Sequence, residues 1–151
     1  MERETIPFIM LNNKIFRNTQ IFLDKILKKY QLSSGSIPYI FALEKNEGIT
    51  QIKLSKEIGN DKAMSARTIA KLIKLDLVYK KQDEKDSRAY NLYLTEKAKK
   101  LIPKIRMDIH SMVDLVTEDL TEEERFITTK SLKKILDKTQ KLKEEFKWKN
   151  K

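Results

Sequence analysis

The sequence predicts a mainly α-helical protein with one small β-hairpin. Turn-forming residues are scarce, with 3 Gly and 3 Pro among 151 residues, so most connections between elements are expected to be short. Long segments repeat their apolar residues at helical spacing, whereas the alternation typical of strands occurs only between residues 77 and 94. We therefore expect long helices on both sides of a hairpin.

The N-terminal part of the chain predicts two helices. Residues 5–30 read as one long helix, in which Phe8, Leu11 and Ile15 begin an apolar stripe. A second stripe beside the first widens the apolar arc, so this helix is expected to pack against more than one neighbour. The segment QLSSGS ends it, and a second helix follows over residues 38–43.

The segment from Thr50 to Ile58 predicts a short helix. Thr50 is a favourable N-cap, and Gly59 is the residue type that most often ends a helix. Ile52, Leu54 and Ile58 are expected to face inward.

A second short helix follows at once, capped by Asn60 or Asp61 and ending near Leu75. At about 100° per residue, it has one largely apolar face and one face of basic and small side chains. The inward face holds Ser65, Ala66, Ile69, Leu72 and Ile73, and the outward face holds Ala63, Met64, Arg67, Thr68, Lys71 and Lys74. Two short helices joined by a tight turn predict a helix-turn-helix.

A β-hairpin is predicted after this pair of helices, with strands at residues 77–82 and 89–94. Tyr90, Leu92 and Leu94 are expected to share one face of the second strand. The tip, residues 83–88, contains no apolar side chain, so it is expected to lie in water unless a partner covers it.

Two long helices are predicted after the hairpin. Thr95 and Glu96 begin the first, and Pro103 is expected to kink it or interrupt its hydrogen bonds. Thr121 and Glu124 match the capping box that begins a helix, and the apolar residues from Phe126 onward predict that this last helix continues almost to the C-terminus.

Positive charge is concentrated in the middle of the chain. The formal net charge is +10, and residues 50–106, with 15 basic and 7 acidic side chains, contribute +8 of it. A concentrated charge favours a binding surface for nucleic acid or an anionic membrane, although a solvated lysine-rich surface is the alternative. No apolar run reaches the roughly 18–20 residues of a membrane span, and the N-terminus does not resemble a secretory signal, so we expect a cytoplasmic protein without membrane contact.

The residue inventory argues against an enzyme. The chain has no cysteine, and His110 is its single histidine, which leaves no basis for a metal centre or for histidine catalysis. A glycine-rich phosphate loop and a carboxylate constellation are also missing from the sequence. We expect no cofactor.

The segment LSKEIGNDKAMSARTIAKLIKLDLVYKKQDEKDSRAYNLYLTEKAKKLI resembles the MarR family of winged-helix transcription regulators. The resemblance rests on the helix that ends at Gly59, on Arg67 inside the next helix, on the D-x-R motif at residues 86–88 and on the L-x-L-T-E-K motif at residues 92–97. It extends over about residues 10–145. The chain departs from the family at Asp76, where glycine is usual, and at Asn60, where an aliphatic residue is more common.

The resemblance implies a winged helix-turn-helix with long N- and C-terminal dimerisation helices. Residues 31–106 would form the DNA-binding lobe, and residues 1–30 and 107–151 the dimerisation helices. Because one such lobe reads only a few base pairs, a homodimer on a palindromic operator in double-stranded DNA is expected, acting as a repressor. The alternative is a winged-helix module for protein or RNA contact that has no operator.

The predicted DNA-binding residues lie in the helix-turn-helix and at the hairpin tip. Arg67 is expected to read guanine or to hold a phosphate, and Lys71 to contact phosphate. By resemblance, Arg88 enters the minor groove, oriented by an ion pair with Asp86. The full predicted set is Thr50, Lys62, Ala63, Met64, Arg67, Thr68, Lys71, Lys85, Ser87 and Arg88. As alternatives, Arg67 packs the wing through a salt bridge, and Asp86 and Arg88 form an exposed pair of little consequence.

The predicted dimer interface is apolar and lies in the two terminal helices. It consists of Pro7, Phe8, Leu11, Phe126, Ile135, Leu142 and Phe146, the last four being read as one spaced stripe. The resemblance also implies a small aromatic or phenolic effector, bound in a crevice between the long helices and the DNA-binding lobe. Its expected lining is Phe16, Phe22, Tyr39, Phe41, Ile105, Ile109 and Met112, and the alternative for the four aromatics is a place in the core.

Overall fold

A computed structural model describes residues 5–149 of the chain, and the side chains of residues 7–146. Two single-turn 3₁₀ helices, Lys28–Tyr30 and Ser34–Ser36, join the first helix to the second. The elements in chain order are α1 (Thr5–Leu27), α2 (Ile37–Lys45), β1 (Ile49–Thr50), α3 (Gln51–Ile58), α4 (Lys62–Lys74), β2 (Val78–Gln82), β3 (Tyr90–Leu94), α5 (Glu96–Val116) and α6 (Glu122–Lys149). The predicted class, mainly α-helical with a small β-hairpin, is confirmed.

The chain divides into two compact units, Met1–Ile109 and His110–Lys151. The first unit has a continuous apolar core, to which the helices from α1 to α5 and the sheet all contribute side chains. Leu27, Tyr39 and Ile105 at its centre have no exposed surface. Burying one such large apolar side chain contributes roughly 1.5–3 kcal/mol relative to leaving it in water, so this core holds α3 and α4 in place.

The strands form one antiparallel sheet in the order β1-β3-β2. Val78 lies opposite Leu94 on β2 and β3, while Ile49 of β1 lies opposite Leu92. The two residues of β1 were not predicted, because a strand this short shows no alternation. Leu92 and Leu94 are buried as expected, but Tyr90 is exposed, because it lies near the hairpin tip and beyond the edge of the core.

The predicted helix ends are confirmed in the helix-turn-helix. The Thr50 hydroxyl accepts a hydrogen bond from the Lys53 amide at 3.4 Å, and Gly59 ends α3 in the left-handed conformation with φ +80°. Asp61, rather than Asn60, caps α4, since its carboxylate accepts a hydrogen bond from the backbone amide three residues on. Asp76 also adopts a left-handed conformation, with φ +56°, which glycine adopts most readily.

Two predicted inward residues face water instead. Ile52 is 67% exposed, because it lies about 200° around α3 from Leu54, the residue that reaches the core. Ala66 is exposed at the edge of α4, about 100° from the buried Ser65. The prediction was correct for Ser65, Ile69 and Leu72, which are buried.

The long helices after the hairpin begin where the sequence predicts. Helix α5 continues through Pro103, so the proline removes one backbone hydrogen bond without ending the helix. The capping box of α6 is confirmed: the Thr121 amide donates to the Glu124 carboxylate at 2.8 Å, and the Glu124 amide donates to the Thr121 hydroxyl at 3.2 Å. Within residues 5–149, no helix has both the length and the apolar character needed to cross a membrane.

Candidate nucleic-acid interface

The outward face of α4 carries the predicted DNA-reading side chains. Met64, Arg67 and Lys71 are all exposed, whereas Ser65, Ile69 and Leu72 on the opposite face are buried. Lys62 and Ala63 in the first turn are exposed as well, and Thr68 is half-buried. The helix therefore presents a basic face to solvent, as its sequence predicts.

Arg67 is not engaged by an acidic side chain. None of the ion pairs between residues 7 and 146 involves Arg67, Lys62 or Lys71. The alternative in which Arg67 packs the wing through a salt bridge therefore has no support in the described part of the chain. An exposed guanidinium without an anionic partner is available to a phosphate or to the paired acceptors of guanine.

The hairpin tip is ordered by the carboxylate of Asp83. One of its oxygens accepts hydrogen bonds from the backbone amides of Lys85 and Asp86, at 2.8 and 2.9 Å, and the other accepts one from the Asn91 side chain at 2.9 Å. The bond from Asn91, with help from the two amides, holds the pKa of the Asp83 carboxyl below its usual value. This acid therefore serves the fold of the loop.

The predicted ion pair between Asp86 and Arg88 does not form. Asp86 instead accepts a hydrogen bond from the backbone amide of Arg88 at 2.9 Å, and its carbonyl accepts one from the Ala89 amide at 2.9 Å. In so tight a turn, a carboxylate two residues upstream reaches the amide more easily than it reaches the end of a long side chain. Lys85, Ser87 and Arg88 are exposed.

Sequence reasoning missed three residues that shape this tip, namely Gln82, Asp83 and Asn91. The Gln82 side chain donates to the Ser87 carbonyl at 2.7 Å and so ties the end of β2 to the loop. Asp83 offered a signal, because an aspartate at the start of a polar turn commonly accepts hydrogen bonds from amides two and three residues on. Asn91 offered none, since it lies eight residues away from its partner.

Thr50 differs from the other predicted DNA-binding residues in its burial and in its role as a helix cap. It is half-buried on β1, and its hydroxyl is the N-cap of α3. Its structural role is therefore clear, and a DNA contact from Thr50 stays a prediction.

The predicted dimer residues are exposed, but those on α6 do not form one stripe. Phe126 lies nine residues before Ile135, which on a continuous helix places them about 180° apart. Ile135, Leu142 and Phe146 do share a face with one another. The reading of all four as a single stripe is therefore wrong. On α1, Pro7, Phe8 and Leu11 are exposed, as a dimer interface requires of a single chain.

The predicted effector-lining residues have diverse environments. Tyr39 and Ile105 have no exposed surface, and Phe41 and Ile109 pack against the same core. For Tyr39 and Phe41, this agrees with the alternative that the aromatic residues belong to the core. Phe16 and Phe22, in contrast, are exposed on α1, which a core position does not allow. Met112 is buried.

Metal ligands are not assembled in the described residues. No group of three or more His, Asp or Glu side chains among them is arranged to hold an ion. His110 is exposed on α5.

Comparisons with known proteins agree on one family. The sequence model of the MarR family matches residues 25–90. The HTH-type transcriptional regulator BilQ of Clostridium symbiosum (strain WAL-14163) is 31% identical over 131 residues, which cover 86% of this chain and 88% of that protein.

Solved structures show the same fold. A MarR transcriptional regulator from Methanosarcina mazei Go1 superposes with a TM-score of 0.84 and 31% identity, over 90% of this chain and 99% of that chain. A mutant MarR from E. coli, solved with operator DNA, has a TM-score of 0.79 over 88% of this chain and 96% of its own, and at 19% identity it supports the fold alone. The chain belongs to the MarR family, and it is a DNA-binding transcriptional regulator with a winged helix-turn-helix.

Proposed function

We propose that this protein binds a palindromic operator as a homodimer in the cytoplasm and represses transcription there. The observation that carries the proposal is the exposed face of α4, whose basic side chains have no acidic partner among the described residues. The wing of the same unit adds Arg88 at an exposed tip. The E. coli MarR solved with operator DNA supports this use of the fold.

Helix α4 would enter the major groove with its N-terminal half. Arg67 would donate two hydrogen bonds to the O6 and N7 acceptors of a guanine, and Met64 would contact a thymine methyl group. Lys62 and Lys71 would neutralise phosphates, while Ala63 and Thr68 allow the helix to approach the bases closely. Base contacts of this kind specify sequence, and phosphate contacts fix the position of the helix on the duplex.

The wing tip would lie along the adjacent minor groove. Its narrow width concentrates negative potential, which favours an inserted guanidinium such as that of Arg88. Lys85 and Ser87 would contact the phosphate backbone beside it. Asp83 and Asp86 keep their negative charges, but the backbone amides that donate to both carboxylates offset part of that charge at the tip.

Dimer formation would cover the apolar side chains of the terminal helices. Phe8 and Leu11 on α1 and Phe146 on α6 are 46%, 58% and 63% exposed in the single chain. Large apolar side chains exposed on each of these helices favour a protein interface over contact with water. Because a two-fold dimer presents two copies of α4, its DNA site would be palindromic.

A small aromatic or phenolic effector would release the DNA. This part of the proposal rests on the family resemblance, and the exposed Phe16 and Phe22 are the aromatic side chains of the predicted lining that remain free to contact a ligand. Titrating candidate aromatic acids into the protein–operator complex tests it. Release at concentrations that leave random-sequence binding unchanged supports an effector, and no release by any compound contradicts it.

Selection of bound sequences from random duplex DNA tests the operator. We expect an enriched palindrome, bound by a dimer in sedimentation measurements, and repression of a reporter placed behind that sequence. Ile135→Glu should dissociate the dimer and abolish cooperative binding to the two half-sites. Lys134→Glu, about 100° from Ile135 and about 80° from Phe126 on α6, is the matched control and should leave the dimer intact. No enriched sequence, or a palindrome bound equally well by a monomer, would contradict the proposal.

A further inference from the structure

A closed ring of hydrogen bonds joins the two helices of the helix-turn-helix to α2. The Asn60 side chain donates to the Tyr39 hydroxyl at 2.9 Å, and the Ser65 hydroxyl donates to the Ser55 hydroxyl at 2.8 Å. Tyr39 and Ser65 are themselves 2.9 Å apart. The Ser55 hydroxyl then donates to the Asn60 carbonyl at 3.0 Å, which closes the ring on the residue where it began.

The donors in this ring follow one direction. Each hydroxyl has a single proton to donate. Since Ser65 gives its proton to Ser55, the Tyr39 hydroxyl must be the donor between Tyr39 and Ser65. Tyr39 therefore accepts from Asn60 and donates to Ser65, so that every member gives one proton and receives one.

The ring lies where α4 has no apolar anchor of its own. Ser65 is the one buried residue in the N-terminal half of α4, and Ile69 and Leu72 are buried further along. Apolar packing tolerates small rotations of a helix, whereas a hydrogen bond weakens steeply as its angle departs from linear. The rotation of the N-terminal half of α4 is therefore set by the ring.

We propose that Tyr39, Ser55, Asn60 and Ser65 are positioning residues that set how α4 meets the bases, and so determine operator specificity. The inference rests on the proposed function, in which α4 reads DNA. It assigns a role to Asn60, whose side-chain amide donates to the Tyr39 hydroxyl. Phosphate contacts from long lysine side chains tolerate a small rotation of α4, but a bidentate contact from Arg67 does not.

Binding of full-length variants to the selected operator and to a random duplex tests the inference. Tyr39→Phe and Ser65→Ala each open the ring while they keep the surrounding apolar volume close to its original size. We expect operator affinity to fall by about tenfold, the size of one lost base contact, with random-duplex affinity and the salt dependence unchanged. Ile40→Val, a buried change on α2 outside the ring, is the control for lost stability and should preserve the ratio of the two affinities.

The outcomes separate this inference from the proposed function. If the natural sequence shows no preference for any duplex, or if Arg67→Ala leaves its preference unchanged, the proposed reading of DNA by α4 fails. If both behave as proposed, but Tyr39→Phe and Ser65→Ala keep the full ratio of operator to random affinity, the positioning role is overturned. Equal losses on both duplexes, matched by Ile40→Val, would also overturn it. Should Tyr39→Phe fail to fold, Ser65→Ala and Ser55→Ala carry the same test.

Discussion

The carboxylate of Asp86 binds the backbone amide of Arg88 and leaves the Arg88 side chain without an ion pair. The carboxylate of Asp86 accepts a hydrogen bond from the Arg88 amide at 2.9 Å, and the guanidinium is not among the ion-paired groups of residues 7–146. The bond fixes the direction in which the chain leaves the turn at Arg88. The side chain therefore extends into solvent from a defined backbone position.

Two substitutions of Asp86 distinguish the effect of its hydrogen bond on DNA binding from the effect of its charge. Asp86→Ala should weaken operator binding by about twofold to tenfold, the range expected for one lost hydrogen bond, because it loosens the turn. Asp86→Asn keeps an oxygen that can accept the same bond and removes the negative charge, so it should bind as tightly as the natural sequence or more tightly. Measuring both affinities at two salt concentrations decides the point. Tighter binding by Asp86→Ala at both would show that Asp86 is only an unfavourable surface charge.

Removing the Arg88 side chain should affect DNA binding without affecting the fold. We expect Arg88→Ala to lower operator affinity by about tenfold or more, since a charge-assisted contact is worth ~1.5–3 kcal/mol. The melting temperature should hardly change, because the side chain is exposed and unpaired in the described structure. Lys45→Ala removes one exposed positive charge elsewhere and is the control. An equal loss of affinity in both variants would reduce the role of Arg88 to net charge.

Replacing either of two basic residues of α4 with alanine should affect DNA binding in different ways. Arg67→Ala is expected to cost roughly 1–3 kcal/mol of operator binding and to relax the base preference at one position. Lys71→Ala should weaken binding to every duplex and lower the slope of affinity against salt by about one unit. Repeating the sequence selection with each variant provides the measurement. The direct reading of a base by Arg67 would be wrong if both variants lost affinity equally on all sequences.

The 3₁₀ helix Lys28–Tyr30, which follows α1, is joined to α5 by a polar contact whose strength depends on pH. One oxygen of Asp108 accepts from the Tyr30 hydroxyl at 2.6 Å and lies 2.8 Å from the Lys29 ammonium. The hydrogen bond from Lys29, followed by that from Tyr30, lowers the pKa of Asp108. A carboxyl whose pKa is lowered by folding stabilises the protein above its unfolded pKa, about 3.9, and loses that contribution as pH falls through the folded pKa.

Tyr30→Phe tests this contact. At neutral pH we expect it to lower the free energy of unfolding by roughly 1–3 kcal/mol, because the carboxylate loses a donor. The difference from the natural sequence should shrink as the pH falls below 4 and Asp108 becomes neutral. Urea unfolding across this pH range gives the measurement, with Tyr90→Phe, at an exposed tyrosine on the wing, as the control. A difference that stays constant down to pH 2 would exclude Asp108 as its source.

Features that depend on neighbouring residues were predictable. The N-cap at Thr50, the left-handed Gly59 and the capping box of Thr121 and Glu124 each involve residues at most four positions apart. The helix-turn-helix and the hairpin followed from the period of the apolar residues. The exposed basic face of α4 followed for the same reason, since the sequence alone determines which residues share a face of a helix.

Only the tertiary structure decided which distant polar groups meet. Asn60 and Tyr39 are 21 positions apart, and Tyr30 and Asp108 are 78 apart, so the pattern around one residue carries no information about the other. The packing of α2, α3 and α4 brings the first pair together. The apolar core to which α1 contributes Leu27 and α5 contributes Ile105 places the second. Side-chain hydrogen bonds require a specific distance and angle, which no local propensity fixes. The sequence by itself therefore determined that α4 has an exposed basic face, and the tertiary structure determined the side-chain contacts that orient that face.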